Sequence, residues 1–170
     1  MSSKQPIIVT VGPKPRQFAA SAVAVQAIIV NQDQQVLLLS SPTRKQGWQV
    51  VSGALEAGET ILAGTLREVY EELGKDIQVR PLGTVHIETF HYDEQVRFML
   101  SSYYLFAYQG GRITPGDDMK GSIYRWWSMM EIEENGIDFH RSTKPWLLKR
   151  ATELYKLWEN QSDPPLQEVL

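Results

Sequence analysis

Seven residues between positions 53 and 74 have the types and spacing for phosphate chemistry: Gly53, Glu59, Arg67, Glu68, Glu71, Glu72 and Gly74. Three of the glutamates fall within five consecutive residues, Glu68 to Glu72. Carboxylates packed this closely on a helix repel one another. A hard cation such as Mg2+ relieves that repulsion, because it takes oxygen ligands and shares its shell with water and substrate phosphate. Mn2+ suits the same donors. The arginine is of the wrong sign to bind a cation and the right shape to clamp a carboxylate in a two-pronged pair, with Glu59 as the candidate.

A helix is needed to present these groups. Thr60 is an N-cap residue, and Glu59 lies near the positive end of the helix it opens. Leu62, Leu66, Val69 and Leu73 follow spacings of four, three and four and make one apolar stripe. At about 100° per residue, Glu68, Glu71 and Glu72 share an arc of roughly 100°, centred some 130° from that stripe. One side of the helix therefore packs on a core and another shows carboxylates. Gly74 suits a left-handed helix stop. Gly53 to Glu59, with Gly58 inside, reads as the loop that delivers the chain to the helix.

The rest of the chain supplies a frame. At 170 residues it fits one domain, read as residues 1–160 with 161–170 as a flexible tail carrying Pro164-Pro165. The net charge of −3 excludes a general nucleic-acid binder with a basic face, so no long nucleic acid is expected as partner. The chain has no cysteine, which excludes disulfides, zinc–thiolate sites and thiol nucleophiles. No apolar run reaches membrane length and the first residues carry no signal-like core, so a cytoplasmic location and no membrane partner are expected. A homodimer is left open.

Alternation and turn residues place strands at 7–11, 21–30, 36–39, 48–51, 77–79, 82–90, 95–108 and 123–127. Thr143 and Pro145 open a C-terminal helix whose stripe is Leu147, Ala151, Leu154 and Trp158. Strands, a helix, more strands and a final helix imply an α/β fold of the α+β type, a mixed sheet with helices on both faces.

The glycine–glutamate–arginine pattern resembles the Nudix box, G-x5-E-x7-R-E-U-x-E-E-x-G-U, where U is a bulky aliphatic residue. Gly53, Glu59, Arg67, Glu68, Val69, Glu71, Glu72 and Gly74 match in register, and Lys75 replaces the last aliphatic position. Trp48 lies five residues before Gly53, as in many family members, and Val51-Ser52-Gly53 stands where Pro-Gly-Gly is usual. The resemblance implies a Nudix α/β/α sandwich with a mixed central sheet. It implies hydrolysis of a diphosphate bond in a nucleoside diphosphate linked to a further group X, with a small nucleotide as substrate. By position, Glu68, Glu71 and Glu72 look like the metal ligands, and Glu59 with Arg67 like the pair fixing the loop on the helix. The catalytic base of the family falls on Glu68 in some members and on a loop before the last strand in others. That loop holds Asp117 and Asp118 here, with Lys120 where relatives often show glutamate. Tyr92, seventeen residues after Lys75, tilts X toward dinucleoside polyphosphates, with (d)NTPs the other substrate class. Arg44 and Asp118 are further candidates for substrate contact. The competing reading is a Nudix-fold nucleotide-binding or regulatory domain with weak catalysis; its usual mark, loss of cluster glutamates, is missing here.

Overall fold

The computed structural model describes residues 8–11, 16–19, 21–40, 47–94, 96, 98–116 and 119–161. Strands β1 (Ile8–Val11) and β2 (Arg16–Ala19) form an antiparallel pair of their own. The main sheet is built from β3 (Ala22–Val30), β4 (Val36–Ser40), β5 (Val51–Ala54), β6 (Gln78–Phe90), β7 (Met99–Gly110) and β8 (Ile123–Trp127). Its order is β6-β7-β3-β4-β8, with β5 also against β3. Only the β3–β7 pairing is parallel among the described strands, so the sheet is mixed. The helices are α1 (Ile61–Leu73), α2 (Met129–Glu134) and α3 (Pro145–Trp158).

Period-two alternation splits the core into two layers. Ala27 and Ile29 of β3, Leu37 and Leu39 of β4, and Tyr104 and Phe106 of β7 pack with Val69 and Leu73 of α1. Their neighbours Ile28, Val30, Leu38, Tyr103 and Leu105 pack with Ile132 of α2 and with Leu147, Ala151 and Tyr155 of α3. The sheet is thus apolar on both faces, as the valine- and isoleucine-rich run of β3 requires. Tyr103, Tyr104 and Trp127 belong to this core.

Several elements differ from the sequence reading. The strand expected at 48–51 is β5 at Val51–Ala54, so Gly53 lies in a strand and not in the loop, and the strand expected at 95–108 is β7 at Met99–Gly110. Segments 77–79 and 82–90 join into the single strand β6, which crosses Pro81 and Gly83 by register shifts. As an edge strand β6 loses little by having a residue with no N–H. Strand β2 and helix α2 are additional. Helix α2 is announced by Ser128-x-x-Glu131, a reciprocal capping box in which each side chain takes a backbone N–H of the other residue. The stripe of α3 is as expected at Leu147 and Ala151 and also includes Leu148 and Tyr155.

One ion pair fastens α3 to the sheet. Lys144, the N-cap residue of α3, donates to both carboxylate oxygens of Glu88 on β6 at 2.7 and 2.6 Å. The Tyr103 hydroxyl, also at 2.9 Å from Glu88 Oε1, is shared with the Ser142 carbonyl at 3.1 Å. Burial pushes the Glu88 carboxyl up, but the bonds from Lys144 and Tyr103 outweigh it and hold it below the usual carboxylate range. A carboxyl lowered in the folded state stabilises it above the unfolded value, about 4.5, and that contribution fades as pH falls through the folded value. Glu88→Gln is therefore expected to melt below wild type at pH 7, with the gap closing toward pH 3. A gap that stays constant across a melting series over this range would contradict the strap.

Candidate active site

Strand β5 and helix α1 bring the motif together. Ala63 N–H donates to Thr60 Oγ1 at 3.1 Å, so the expected N-cap is made. The preceding loop folds back on the first turn: Glu56 N–H donates to Glu59 Oε2 at 3.0 Å. Gly64 permits this approach, since a Cβ there would lie 2.6 Å from Leu55 Cδ1 and 2.9 Å from Glu59 Oε2. The helix ends at Gly74, whose φ of 90° and ψ of 158° only glycine adopts readily. Its φ is positive as expected, while its ψ lies outside the left-handed helical region.

Arg67 is the hub. Its Nε and Nη2 grip both oxygens of Glu59 at 2.8 and 3.1 Å, the expected two-pronged pair. Nη2 also donates to the Ala54 carbonyl at 2.8 Å, which ties the end of β5 to the helix. Nη1 reaches further than anticipated, to Glu68 Oε1 at 2.8 Å and Glu71 Oε2 at 2.9 Å. Arg67 thus faces the acidic cluster as well as the loop. The cause is local geometry: Glu71 lies one helical turn on, within reach of the same fork. The first effect of Arg67 on Glu59 is a hydrogen bond that, with the Glu56 N–H, holds its carboxyl below the usual range. Glu59 in turn raises the affinity of Arg67 for its proton, although burial opposes this.

The three cluster glutamates occupy different environments. The Glu71 side chain is 42% exposed, whereas Glu72 is a buried residue at 2%. The buried face of α1 is Gly64, Thr65, Val69, Glu72 and Leu73, with Leu62 and Leu66 half-buried at its margin. Glu72 therefore sits at the edge of the core, not on the solvated side of the helix. Glu68 lies against β5: a Cβ added to Gly53 would overlap its carboxyl group. A bare strand backbone next to this carboxylate is a cradle of oxygen donors. Among the described residues, no three histidine, aspartate or glutamate side chains already converge on one point as metal ligands. The donors fit a hard cation in kind, being all oxygen, with Arg67 lying between Glu68 and Glu71.

Among the described candidates, Tyr92 is not drawn into this network. Tyr92 is 47% exposed, beyond the end of β6. Its ring meets Phe90 edge-on at 6.3 Å and the Arg141 guanidinium at 5.8 Å. Arg44, Lys45, Asp117 and Asp118 lie outside the described residues. His86 stands against Trp146, and His140 Nδ1 lies 2.7 Å from Ser142 Oγ. No helix of the described residues is long and apolar enough to cross a membrane.

The NUDIX domain family model matches residues 20–147. The chain belongs to the Nudix family. A curated relative, the NAD-capped RNA hydrolase NudC of Vibrio parahaemolyticus, is 29% identical over 123 residues, which is 69% of this chain and 41% of the relative. The chain thus spans well under half the length of that relative. A solved structure of a NUDIX hydrolase from Nitrosomonas europaea is 26% identical with a TM-score of 0.55, covering 81% of this chain and 90% of the other. The MutT protein from Methanosarcina mazei Go1 superimposes with a TM-score of 0.61 at 20% identity, over 80% of this chain and 96% of the other. Such likenesses establish the Nudix fold: a mixed central sheet with few helices.

Proposed function

We propose that this Nudix chain is a Mg2+-dependent pyrophosphohydrolase. It cleaves a diphosphate bond in a nucleoside diphosphate linked to X, with dinucleoside polyphosphates and (d)NTPs as the preferred substrates. The observation that carries this reading is the seat of Glu68 on Gly53, one residue from the Arg67 hub that also holds Glu59 and Glu71. Glu68, Glu71 and Glu72 are the residues that would hold the cation, with Mn2+ able to replace Mg2+. When bound, the ion supplies Lewis acidity toward phosphoryl oxygens and an acidified water.

The chain's own part is positioning. Arg67 fixes the Glu59 loop and the end of β5 to the helix, so the Glu68 carboxylate meets the strand in one geometry. Glu68 is also the candidate base within the box. Arg44, Tyr92 and Asp118 are assigned to substrate contact. The retention of Glu59, Glu68, Glu71 and Glu72 favours the hydrolase over a weakly catalytic binding domain. A net charge of −3 favours a small nucleotide over a long RNA.

The test is phosphate release with Mg2+ from diadenosine tetraphosphate, ADP-ribose, NADH and the (d)NTPs. Turnover concentrated on the polyphosphates is expected. No turnover on any of them, with the cation bound, would overturn the hydrolase reading in favour of the binding domain.

A further inference from the structure

A polyphosphate brings several negative charges to a helix that already carries Glu68, Glu71 and Glu72. A cation of the protein is needed for phosphates that the metal does not meet. Arg67 is engaged elsewhere. A guanidinium has five N–H donors, and those of Arg67 meet Glu59 Oε1, Glu59 Oε2, Glu68 Oε1, Glu71 Oε2 and the Ala54 carbonyl. Lys75 follows Gly74 toward Gln78, which is paired with Gly110. That is the end of β7 remote from Ser102, the neighbour of the Val25–Gly53 pair.

The segment between β7 and β8 folds onto the last turn of α1. Thr114 N–H donates to the Leu73 carbonyl at 2.7 Å, and Gly116 N–H to that of Glu72 at 3.1 Å. The approach is close: a Cβ on Gly116 would lie 3.0 Å from the Glu71 carbonyl oxygen. Met119 N–H donates back to the Gly116 carbonyl at 2.9 Å, so Met119 stands two hydrogen bonds from Glu72. The Met119 side chain is buried, and its sulfur accepts from Gln49 Nε2 at 3.7 Å, just before β5. Ser122 N–H donates to the Met119 carbonyl at 2.9 Å and leads the chain into β8. Met119 is thus pinned from both sides. It holds the backbone of Lys120 between the C-terminal half of α1 and the strand that carries Gly53, with Lys120 exposed. A core anchor next to an exposed lysine fixes the backbone and leaves the ammonium to move on its flexible stem.

We propose that the Lys120 ammonium binds a substrate phosphate outside the pair that shares the broken bond, and so favours chains of three or more phosphates over diphosphates. The inference rests on the nucleotide-hydrolase reading and narrows its substrate class. In a diphosphate both phosphorus centres belong to the broken bond and meet the cation held on α1. A longer chain runs past that cation, where carboxylates repel it and an ammonium attracts it. An ammonium is a compact point charge with three rotatable donors, which suits a mobile phosphate chain.

The experiment is calorimetric titration with imidotriphosphate and imidodiphosphate, whose bridging nitrogens resist hydrolysis, in the presence of Mg2+. Wild type would be compared with Lys120→Met, Lys120→Arg and Lys149→Met, the last an exposed lysine of α3. Wild type is expected to bind the triphosphate analogue about tenfold more tightly than the diphosphate analogue. Lys120→Met is expected to bring that ratio near one, Lys120→Arg to restore most of it, and Lys149→Met to leave it unchanged. Mn2+ affinity without phosphate is expected to stay within about twofold of wild type in Lys120→Met, which separates a lost phosphate contact from a lost fold or metal site. No binding of either analogue, equal affinities in wild type, a ratio unchanged in Lys120→Met, a ratio not restored by arginine, a ratio lost equally in Lys149→Met, or Mn2+ affinity that falls in step would each overturn the inference. Nucleotide turnover without a Lys120-dependent chain preference would sink this inference and leave the hydrolase standing. A Lys120-dependent preference without turnover of any nucleotide would sink the hydrolase alone.

Discussion

Glu72→Gln is expected to lower Mg2+-dependent turnover by at least about a hundredfold while the protein stays folded. The substitution keeps the size and shape of a residue that is 2% exposed, so the surrounding packing has no cavity to absorb. It removes one of the three negative charges that α1 presents between Glu68 and Glu72. A carboxylate held at the edge of the core is expensive to keep ionised. The fold should therefore survive the exchange even as activity collapses. An intact fold with a lost rate separates a functional carboxylate from a structural one. Near-wild-type turnover in the folded variant would remove Glu72 from the site.

The second large effect is expected from Gly53→Ala, one methyl group on β5. The Gly53 backbone is open to any residue, because its φ lies outside the positive range that favours glycine. The added Cβ meets the Glu68 carboxyl group, the free end of a side chain that can swing away. Folding should therefore change little, while the carboxylate is displaced from the strand. A misplacement of about 1 Å at a reacting centre costs on the order of a hundredfold in rate, which is the loss expected here. Circular dichroism and melting together with kcat check it. A variant that keeps its activity would show that Glu68 need not lie on Gly53 to work.

Much of this site is legible in the sequence. The fixed offsets of Gly53, Glu59 and Arg67 anticipate the loop-to-helix clamp, and Thr60 marks the start of α1 to the residue. The strands of the core are announced by their apolar runs. The burial of Glu72 was hidden because the buried side of α1 is partly polar. Thr65, Val69 and Glu72 follow helical spacings of four and three, but two of them do not look like core residues. The reach of Arg67 to Glu68 and Glu71 depends on a rotamer, which spacing does not fix. Pro81 and Gly83 suggest a break in β6 because a sequence does not reveal which strand is an edge. The least visible feature is a row of polar side chains that runs across the sheet. Ser52, Gln26, Tyr103 and His86 come from four strands, and only the register of three pairings sets them abreast.

The most direct test of the account is Mn2+ binding followed by electron paramagnetic resonance. Wild type would be titrated beside the folded variants Glu68→Gln, Glu71→Gln and Glu72→Gln. The account predicts that wild type takes up the ion and that each variant binds it at least about tenfold more weakly, since each loses one charged oxygen ligand. Wild-type affinity in all three variants would contradict a metal site on α1, and with it the proposed chemistry.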